Sequence, residues 1–224
     1  MANSDVILPD QNPQLAKRFR GYLPVVVDIE TGGFDAQQHA ILEIAMVTLK
    51  MDQHGLLQRD HTYFHHIIPD PNTCMTKASL EFTGIDPYHP FRFAVLESEA
   101  LKELLDVVRK HVKHARCQKA ILVGHNAAFD LSFLQAAIAR HHIKHSPFHT
   151  FSMIDTSSLS AVFLGQTVLA RAVETAGLTF RHEDAHSAIY DAEITADLFN
   201  LITNQWLHQG GWNIQQNQPC KFKS

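Results

Sequence analysis

Acidic residues at three separate places in the chain have the types and spacing that metal-assisted hydrolysis uses. Asp28 and Glu30 close a run of β-branched residues and are separated by one position. Because side chains alternate between the two faces of a strand, these two carboxylates emerge on the same face. Asp130 lies one turn into a predicted helix, and Asp191 comes late in the chain. The sequence therefore predicts a group of carboxylates assembled from distant segments.

Such carboxylates suit the hydrolysis of a phosphodiester, whose negative charge repels an approaching hydroxide. Two Mg²⁺ ions lower the pKa of a water and stabilise both the attacking and the leaving oxygen. Mg²⁺ prefers hard oxygen ligands, so three or four carboxylates fit it. His186 stands five positions before Asp191, and a neutral histidine accepts a proton near neutral pH. His186 is therefore the candidate general base.

Each of these residues also has an ordinary interpretation when it is taken alone. Asp28 resembles a turn or cap residue, and Asp130 suits the first turn of a helix because of the helix dipole. Asp191 is typical of a solvated helix face, and His186 of a capping or packed histidine. The joint pattern favours catalysis: Asp-x-Glu closes a strand, His-Asn-x-x-Phe-Asp opens a helix, and His-x-x-x-x-Asp follows.

Hydrophobic periodicity predicts the elements that must hold these residues. Apolar runs predict strands at residues 24–29, 41–49, 61–68, 120–123 and 152–155. Helical spacing predicts helices at residues 98–113, 127–140, 168–176 and 188–206. We expect Asn126 to cap the second of these helices. Because three strands come first and strands then alternate with helices, the expected fold class is α/β, a mixed sheet flanked by helices.

The composition fits one large globular domain in a reducing compartment. The chain has 224 residues, of which 45% are hydrophobic, so a sizeable core is expected. Its three cysteines lack C-x-x-C spacing, which favours a cytoplasmic location without disulfides. Neither a signal sequence nor an apolar stretch of about 18 residues is visible, so no membrane association is expected. The net charge of −4 still allows a local basic patch to bind nucleic acid.

Basic, aromatic and histidine residues add candidates that the residues alone leave open. The candidate phosphate contacts are Arg18, Arg20, Lys113, Lys119 and Lys144. They form either a solvated face or a track that positions nucleic acid without reading its sequence. Phe34 and Phe129 are either core residues or platforms for stacked bases. The groups His65-His66 and His141-His142 with His145 lack a recognised zinc-ligand pattern, so surface or core histidines are the favoured interpretation.

The motifs together resemble those of the DEDDh 3′→5′ exonucleases, the superfamily of the polymerase proofreading exonucleases. Within it the chain is most similar to the ribonuclease T family, over residues 19–212. The segments that carry the likeness are Phe19-Arg20-Gly21, Val27-Asp28-Ile29-Glu30-Thr31, Leu42-Glu43-Ile44-Ala45, Phe82-Thr83-Gly84-Ile85-Asp86-Pro87, Leu164-Gly165-Gln166-Thr167-Val168-Leu169 and Gly210-Gly211-Trp212.

The resemblance implies a ribonuclease H-like fold in which four acids hold two Mg²⁺ ions, with Mn²⁺ able to substitute. The implied ligands are Asp28, Glu30, Asp130 and Asp191, and the implied base is His186. Members of this family act as homodimers, trim the 3′ ends of transfer RNA and other stable RNAs to release nucleoside 5′-monophosphates, and digest single-stranded DNA. Their base-holding phenylalanines match Phe34, Phe82, Phe129 and Phe151. In a dimer, the basic track would feed the partner's active site.

One position departs from the family pattern. A family glutamate near Phe82 falls on Ala78 here, or is displaced to Glu81, which leaves the terminal-base preference open. The expected organisation is a partly mobile segment at 1–17, an exonuclease domain at 18–212 and a polar tail at 213–224. The rival interpretations are a proofreading-type DNA exonuclease, a non-catalytic module that binds RNA or a partner, and a zinc hydrolase.

Overall fold

A computed structural model, which describes residues 13–211, places six strands in one mixed sheet. The strands are β1 (Tyr22–Thr31), β2 (Ile41–Met51), β3 (Leu57–Ile68), β4 (Val95–Leu96), β5 (Lys119–Gly124) and β6 (Phe148–Asp155). The helices are α1 (Pro13–Arg18), α2 (Lys77–Thr83), α3 (Glu97–His114), α4 (Ala128–Arg140), α5 (Thr156–Leu164), α6 (Leu169–Thr175) and α7 (Ala188–His208). The predicted α/β class is confirmed.

The strand order β4-β3-β2-β1-β5-β6 puts β1 in the interior of the sheet. β2 is antiparallel to both β1 and β3, whereas β5 is parallel to β1 and to β6. Val25, Val26 and Val27 are all buried, so both faces of β1 are covered. A central strand covered on both faces reads as a continuous apolar run rather than an alternating one. This explains why β1 was visible in the sequence.

Helix α7 is buried because it joins two apolar clusters. Ala188, Ala192 and Phe199 pack into the main core beneath the sheet. Tyr190 and Ile194 pack on its other side, in a smaller cluster to which α6 also contributes. A helix that is apolar on several sides is typical of an element enclosed between two layers. The position of the first turn of α7, which carries Asp191, is therefore fixed from both sides.

Helix α3 has the predicted helical spacing of apolar residues, with Leu101, Leu104, Leu105, Val108 and Val112 buried. Three short helices, α1, α2 and α5, were not predicted, because six to nine residues hold too few turns to show periodicity. Strand β6 begins at Phe148, four residues before the predicted start.

The described residues bear only in part on the predicted organisation of the chain. Helix α1 crosses the expected boundary between residues 17 and 18, and Leu15 is buried in the core. The rest of the N-terminal segment and the tail at 213–224 lie outside the described residues, and the division itself stays a prediction. Within residues 13–211, none of the helices combines the length and the apolar composition that crossing a bilayer requires.

Candidate active site

Asp28, Glu30 and Asp130 meet where β1 and β5 end side by side. The two strands are parallel, with Val26 opposite Val123, so the chain leaving β5 enters α4 next to the end of β1. The backbone N–H of Ile29, between the two β1 acids, donates a 3.0 Å hydrogen bond to Asp130 Oδ1. Asp130 is only 4% exposed. This bond ties the helix carboxylate to the strand that carries the other two.

Asp191 and His186 reach the same place from the start of α7. One ligand atom each of Glu30, His186 and Asp191 lie within 4.8 Å of one another. Asp191 Oδ2 accepts a 3.0 Å hydrogen bond from the backbone N–H of His186. His186 itself has a φ of 66°, a conformation uncommon outside glycine. The structure thus assembles all five predicted site residues around the end of β1.

Burial raises the pKa of each of these four carboxyl groups, and repulsion from neighbouring carboxylates adds to the shift at Asp28, Glu30 and Asp130. Desolvation raises the pKa of Glu30 to about 7, with further contributions from Asp191 and Glu43. Desolvation followed by repulsion from Asp130 holds the pKa of Asp28 well above its usual range. Burial also raises the pKa values of Asp130 and Asp191, although backbone hydrogen bonds oppose the shift at both. Such raised values are typical of functional sites.

The residues fit a divalent cation. Asp191 Oδ1 is buried and has no hydrogen-bond partner in the described part of the chain, although a buried carboxylate oxygen normally has one. Hard carboxylate oxygens that repel one another are the ligand set that Mg²⁺ and Mn²⁺ take. Among residues 13–211, Glu30, His186 and Asp191 are the one group of three such side chains this close together.

Glu43 is a fifth carboxylate of the site, to which the sequence analysis assigned no role. It faces Glu30 across the β1–β2 pair and is 6% exposed. Its Oε1 accepts a 2.9 Å hydrogen bond from His66, and its Oε2 accepts one of 3.3 Å from the backbone N–H of Ala188. Glu43 therefore holds the start of α7 against β2. The one signal for it in the sequence is an acidic residue inside the otherwise apolar run of β2.

The expected cap of α4 by Asn126 is wrong. Asn126 has a φ of 67°, and its backbone N–H donates a 2.9 Å hydrogen bond to Asp155 Oδ1. Ala127 N–H donates to the same oxygen at 3.4 Å, so a carboxylate at the end of β6 caps this turn from 28 residues away. A Cβ at Gly124 would come within 3.2 Å of Asp130 Oδ2, so glycine allows the turn to pass close to the carboxylate.

The four candidate phenylalanines occupy three different settings. Phe34 is 86% exposed, and its ring lies 6.4 Å from that of half-buried Phe129, which also packs on the core. Phe82 is 66% exposed and its ring centroid is 4.3 Å from that of His186. Phe151 is 78% exposed and contacts His149 at 4.6 Å. Three of the four rings are thus open to solvent, and Phe82 lies directly against the candidate base.

The candidate basic residues lie away from the carboxylates. Arg18 is occupied within the fold, because its guanidinium donates to Gly55 O at 2.8 Å and to Thr203 O at 2.6 Å. The others are exposed near the starts of the parallel strands: Arg20, Lys113, Lys119 and Lys144. Tyr22 pairs with Lys119 at the start of β1, and the eight residues from there to Glu30 span about 26 Å. We call this group of four exposed residues the basic end.

Comparison with protein families identifies most of the chain. A family model described as Exonuclease (RNase_T) matches residues 25–199. The ribonuclease T of Vibrio parahaemolyticus is 53% identical over 201 residues, which cover 89% of this chain and 94% of that protein. The ribonuclease T of Wigglesworthia glossinidia brevipalpis is 50% identical over 204 residues, which cover 91% of this chain and 95% of that protein.

Comparison with solved structures supports the fold independently. Escherichia coli exonuclease I in complex with a dT13 oligonucleotide superposes with a TM-score of 0.64 at 15% identity. The match covers 84% of this chain and 42% of exonuclease I, so the chain spans about two fifths of that larger protein. At this identity the likeness concerns the sheet and its helices alone.

Proposed function

The chain belongs to the exonuclease family of the ribonuclease T proteins, and we propose that it trims the 3′ ends of transfer RNA and other stable RNAs in the cytoplasm. It is a 3′→5′ exonuclease, a hydrolase that acts on nucleic acid. Single-stranded DNA is a further substrate in this proposal. The observation that carries the proposal is the convergence of Glu30, His186 and Asp191 within 4.8 Å, beside the carboxylates of Asp28 and Asp130.

Members of this family depend on metal, and a candidate acidic metal site is present in the chain. We infer that the site takes two Mg²⁺ ions, with Mn²⁺ as a substitute. Asp28, Glu30, Asp130 and Asp191 would hold them through carboxylate oxygens. When bound, the ions would lower the pKa of a water and offset the charge on the attacking and leaving oxygens. The unpartnered Oδ1 of Asp191 and the repulsion among these acids support this assignment.

In the proposed reaction, His186 accepts a proton from the attacking water at a ring nitrogen. The water oxygen forms a bond to the last phosphorus of the strand while the bond from that phosphorus to the 3′ oxygen of the preceding nucleotide breaks. The 3′ oxygen takes up a proton from solvent, and a nucleoside 5′-monophosphate is released. Phe82, which contacts His186, and the neighbouring Phe34 and Phe129 stack on the terminal bases, while Phe151 supports the strand further along. Stacking tolerates every base, as an end-trimming enzyme requires.

The distance between the basic end and the carboxylates favours a homodimer in this proposal. Phosphates bound at Arg20 or Lys119 would lie about 26 Å from the scissile bond of the same subunit. A second subunit in a two-fold arrangement can present its basic end to the carboxylates of the first. Arg18, whose guanidinium bonds to two carbonyl groups, has least freedom to contact a phosphate.

The test is a nucleotide-release assay on an RNA hairpin with a single-stranded 3′ end and a 5′ label. The expected result is stepwise shortening from the 3′ end, with products that chromatograph as 5′-monophosphates and with no reaction in EDTA. A primer–template DNA is the matched comparison, because faster trimming of the primer would favour a proofreading role. Internal cleavage, or undiminished activity in EDTA, would contradict the proposal.

A further inference from the structure

An exposed aromatic surface follows α2 and takes no part in the site described above. Tyr88, Phe91 and Phe93 are 72%, 76% and 83% exposed and lie within six consecutive residues. We call these three residues the aromatic loop. A contiguous group of large exposed apolar side chains marks a binding surface more often than chance exposure does. Three rings this close together therefore need an explanation.

The aromatic loop has a defined backbone held by internal hydrogen bonds. Asp86 Oδ1 accepts a 3.1 Å hydrogen bond from the N–H of Tyr88, and its carbonyl accepts one of 3.2 Å from His89. Arg92 points inward and donates to Pro87 O at 3.3 Å and to Leu42 O at 2.9 Å. With the one cationic side chain turned into the protein, the flanking rings are turned outward.

Phe93 occupies a conformation that disfavours a bulky residue. Its φ of 50° and ψ of 38° lie in the left-handed region, where it ends a short 3₁₀ turn. Glycine adopts this conformation without strain, whereas a side chain with a ring is a clear exception. Phe93 gains little burial in exchange, because 83% of it is exposed. Strain of this kind indicates that the ring contacts something other than the rest of the protein, such as a bound molecule.

Both ends of the aromatic loop are attached next to the candidate active site. Six residues before Tyr88, the ring of Phe82 lies 4.3 Å from that of His186, and six residues of chain reach at most about 20 Å. At the other end, Arg92 lies 3.5 Å from Glu43 Oε1. Glu43 faces Glu30 across the β1–β2 pair. Both attachment points of the loop therefore contact residues at the candidate active site.

We propose that the aromatic loop is a stacking platform for unpaired bases of a single-stranded nucleic acid, upstream of the 3′-terminal nucleotides. The inference rests on the proposed function and adds a binding surface to it. Aromatic rings rather than aliphatic side chains suit nucleobases, because every base offers a π-face. Asp86 is the one carboxylate between residues 85 and 96, so little negative charge opposes the strand. Contact with bases rather than phosphates makes this binding insensitive to salt.

The first test compares the wild type with the triple variant Tyr88→Ala, Phe91→Ala, Phe93→Gly. Phe93→Gly places the unstrained residue in that turn, so folding should be retained. In EDTA, fluorescence anisotropy with a 12-nucleotide oligoadenylate RNA should show about tenfold weaker binding and an unchanged salt dependence. With Mg²⁺, a trinucleotide too short to reach the loop should be hydrolysed at the wild-type rate. Val162→Ala, which alters another exposed apolar residue, is the matched control and should bind as the wild type does.

The second test removes bases instead of side chains. One abasic position is moved stepwise along an oligoadenylate, starting from the 3′ end. An abasic position upstream of the terminal nucleotides should weaken binding to the wild type. The same upstream positions should make no difference to the affinity of the triple variant. The variant Tyr88→Leu, Phe91→Leu, Phe93→Leu keeps apolar area without rings, and should behave like the triple variant.

Three results would overturn the inference: wild-type affinity of the triple variant, an abasic effect that persists in it, or wild-type binding by the leucine variant. The last would show that RNA binding at this surface does not depend on aromatic rings. Failure of the proposed function would appear separately, as a wild-type protein that binds RNA but releases no nucleotides.

Discussion

The two ends of strand β1 differ in charge, in burial and in the free energy that their charged side chains cost the folded state. At its carboxyl end, Asp28 and Glu30 lie among other acids, and burial and repulsion raise their pKa values. At its start, Arg20 and Lys119 are exposed to water, where isolated charges cost little. Electrostatic repulsion is thus concentrated at the carboxyl end, and the start of the strand carries only well-solvated charges. Four predictions would break or sharpen this contrast.

The largest effect is expected from Asp191→Asn in the cluster of Asp28, Glu30, Asp130 and Asp191, which we call the acidic end. Loss of the negative charge of this proposed metal ligand should lower the rate of nucleotide release by on the order of 10³-fold. The thermal midpoint should not fall, because the substitution removes a buried charge and an amide oxygen can still accept from the His186 N–H. Activity and circular dichroism melting would be measured together.

Asp197→Asn is the control for that variant, on the same helix. Its carboxylate pairs with Arg59 at 2.9 Å, away from the site, so trimming should stay at the wild-type rate. Wild-type trimming by Asp191→Asn would remove that residue from the mechanism and with it the functional meaning of the acidic end.

The next effect is expected from the double variant Arg20→Ala, Lys119→Ala at the basic end. Affinity for a long single strand should fall on the order of tenfold at low salt, and the salt dependence should lose about 0.7 per lost phosphate contact. The maximal rate at saturating RNA should be unchanged, because neither residue is near the carboxylates. Lys102→Ala, another exposed lysine, is the control. An unchanged salt dependence in the double variant would show that the basic end is only a solvated face.

Mixing Asp191→Asn with the double variant Arg20→Ala, Lys119→Ala tests whether the basic end of one subunit serves the carboxylates of the other. A heterodimer has one site with intact carboxylates that faces an intact basic end, so mixed and re-equilibrated proteins should regain about one quarter of the wild-type activity. The rate at limiting RNA concentration is the measurement. A mixture no more active than the average of its two components would contradict this arrangement.

The smallest effect concerns stability without metal. Since the pKa of Glu30 is raised to about 7, its neutral form is preferred in the folded state. The stability it contributes is complete below the unfolded pKa of about 4.3 and is lost as pH rises through 7. In EDTA, the thermal midpoint should therefore fall less over this range in Glu30→Gln than in the wild type. Mg²⁺ should remove the difference by stabilising the charged form. Thermal midpoints that fall equally with pH in the two proteins in EDTA would contradict this prediction.

The sequence was most informative where local geometry decides the outcome. Strand alternation placed Asp28 and Glu30 on one face. The spacing of five from His186 to Asp191 spans the start of α7, with His186 just before the helix and Asp191 in its first turn. The fold class followed from the order of strands and helices. These inferences depend only on residues that are close together in the sequence.

Contacts between distant segments could not be read in this way. Asp155, and not Asn126, holds the turn that leads into α4, and Glu43 joins the site through strand pairing. Whether Lys119 lies near Glu30 or a strand's length away depends on the direction of β5, which no local pattern encodes. Arg18 looked like a phosphate contact, but its hydrogen bonds to Gly55 and Thr203 appear only in the folded chain.

The separation of the site residues along the chain has a consequence for synthesis. Asp28 leaves the ribosome early, but Asp191 follows roughly 160 residues later, on the order of ten to thirty seconds at ordinary elongation rates. Until α7 docks, the nascent polypeptide has only part of its carboxylate cluster. A growing chain therefore lacks, until α7 has been synthesised, one of the carboxylates on which the proposed reaction depends.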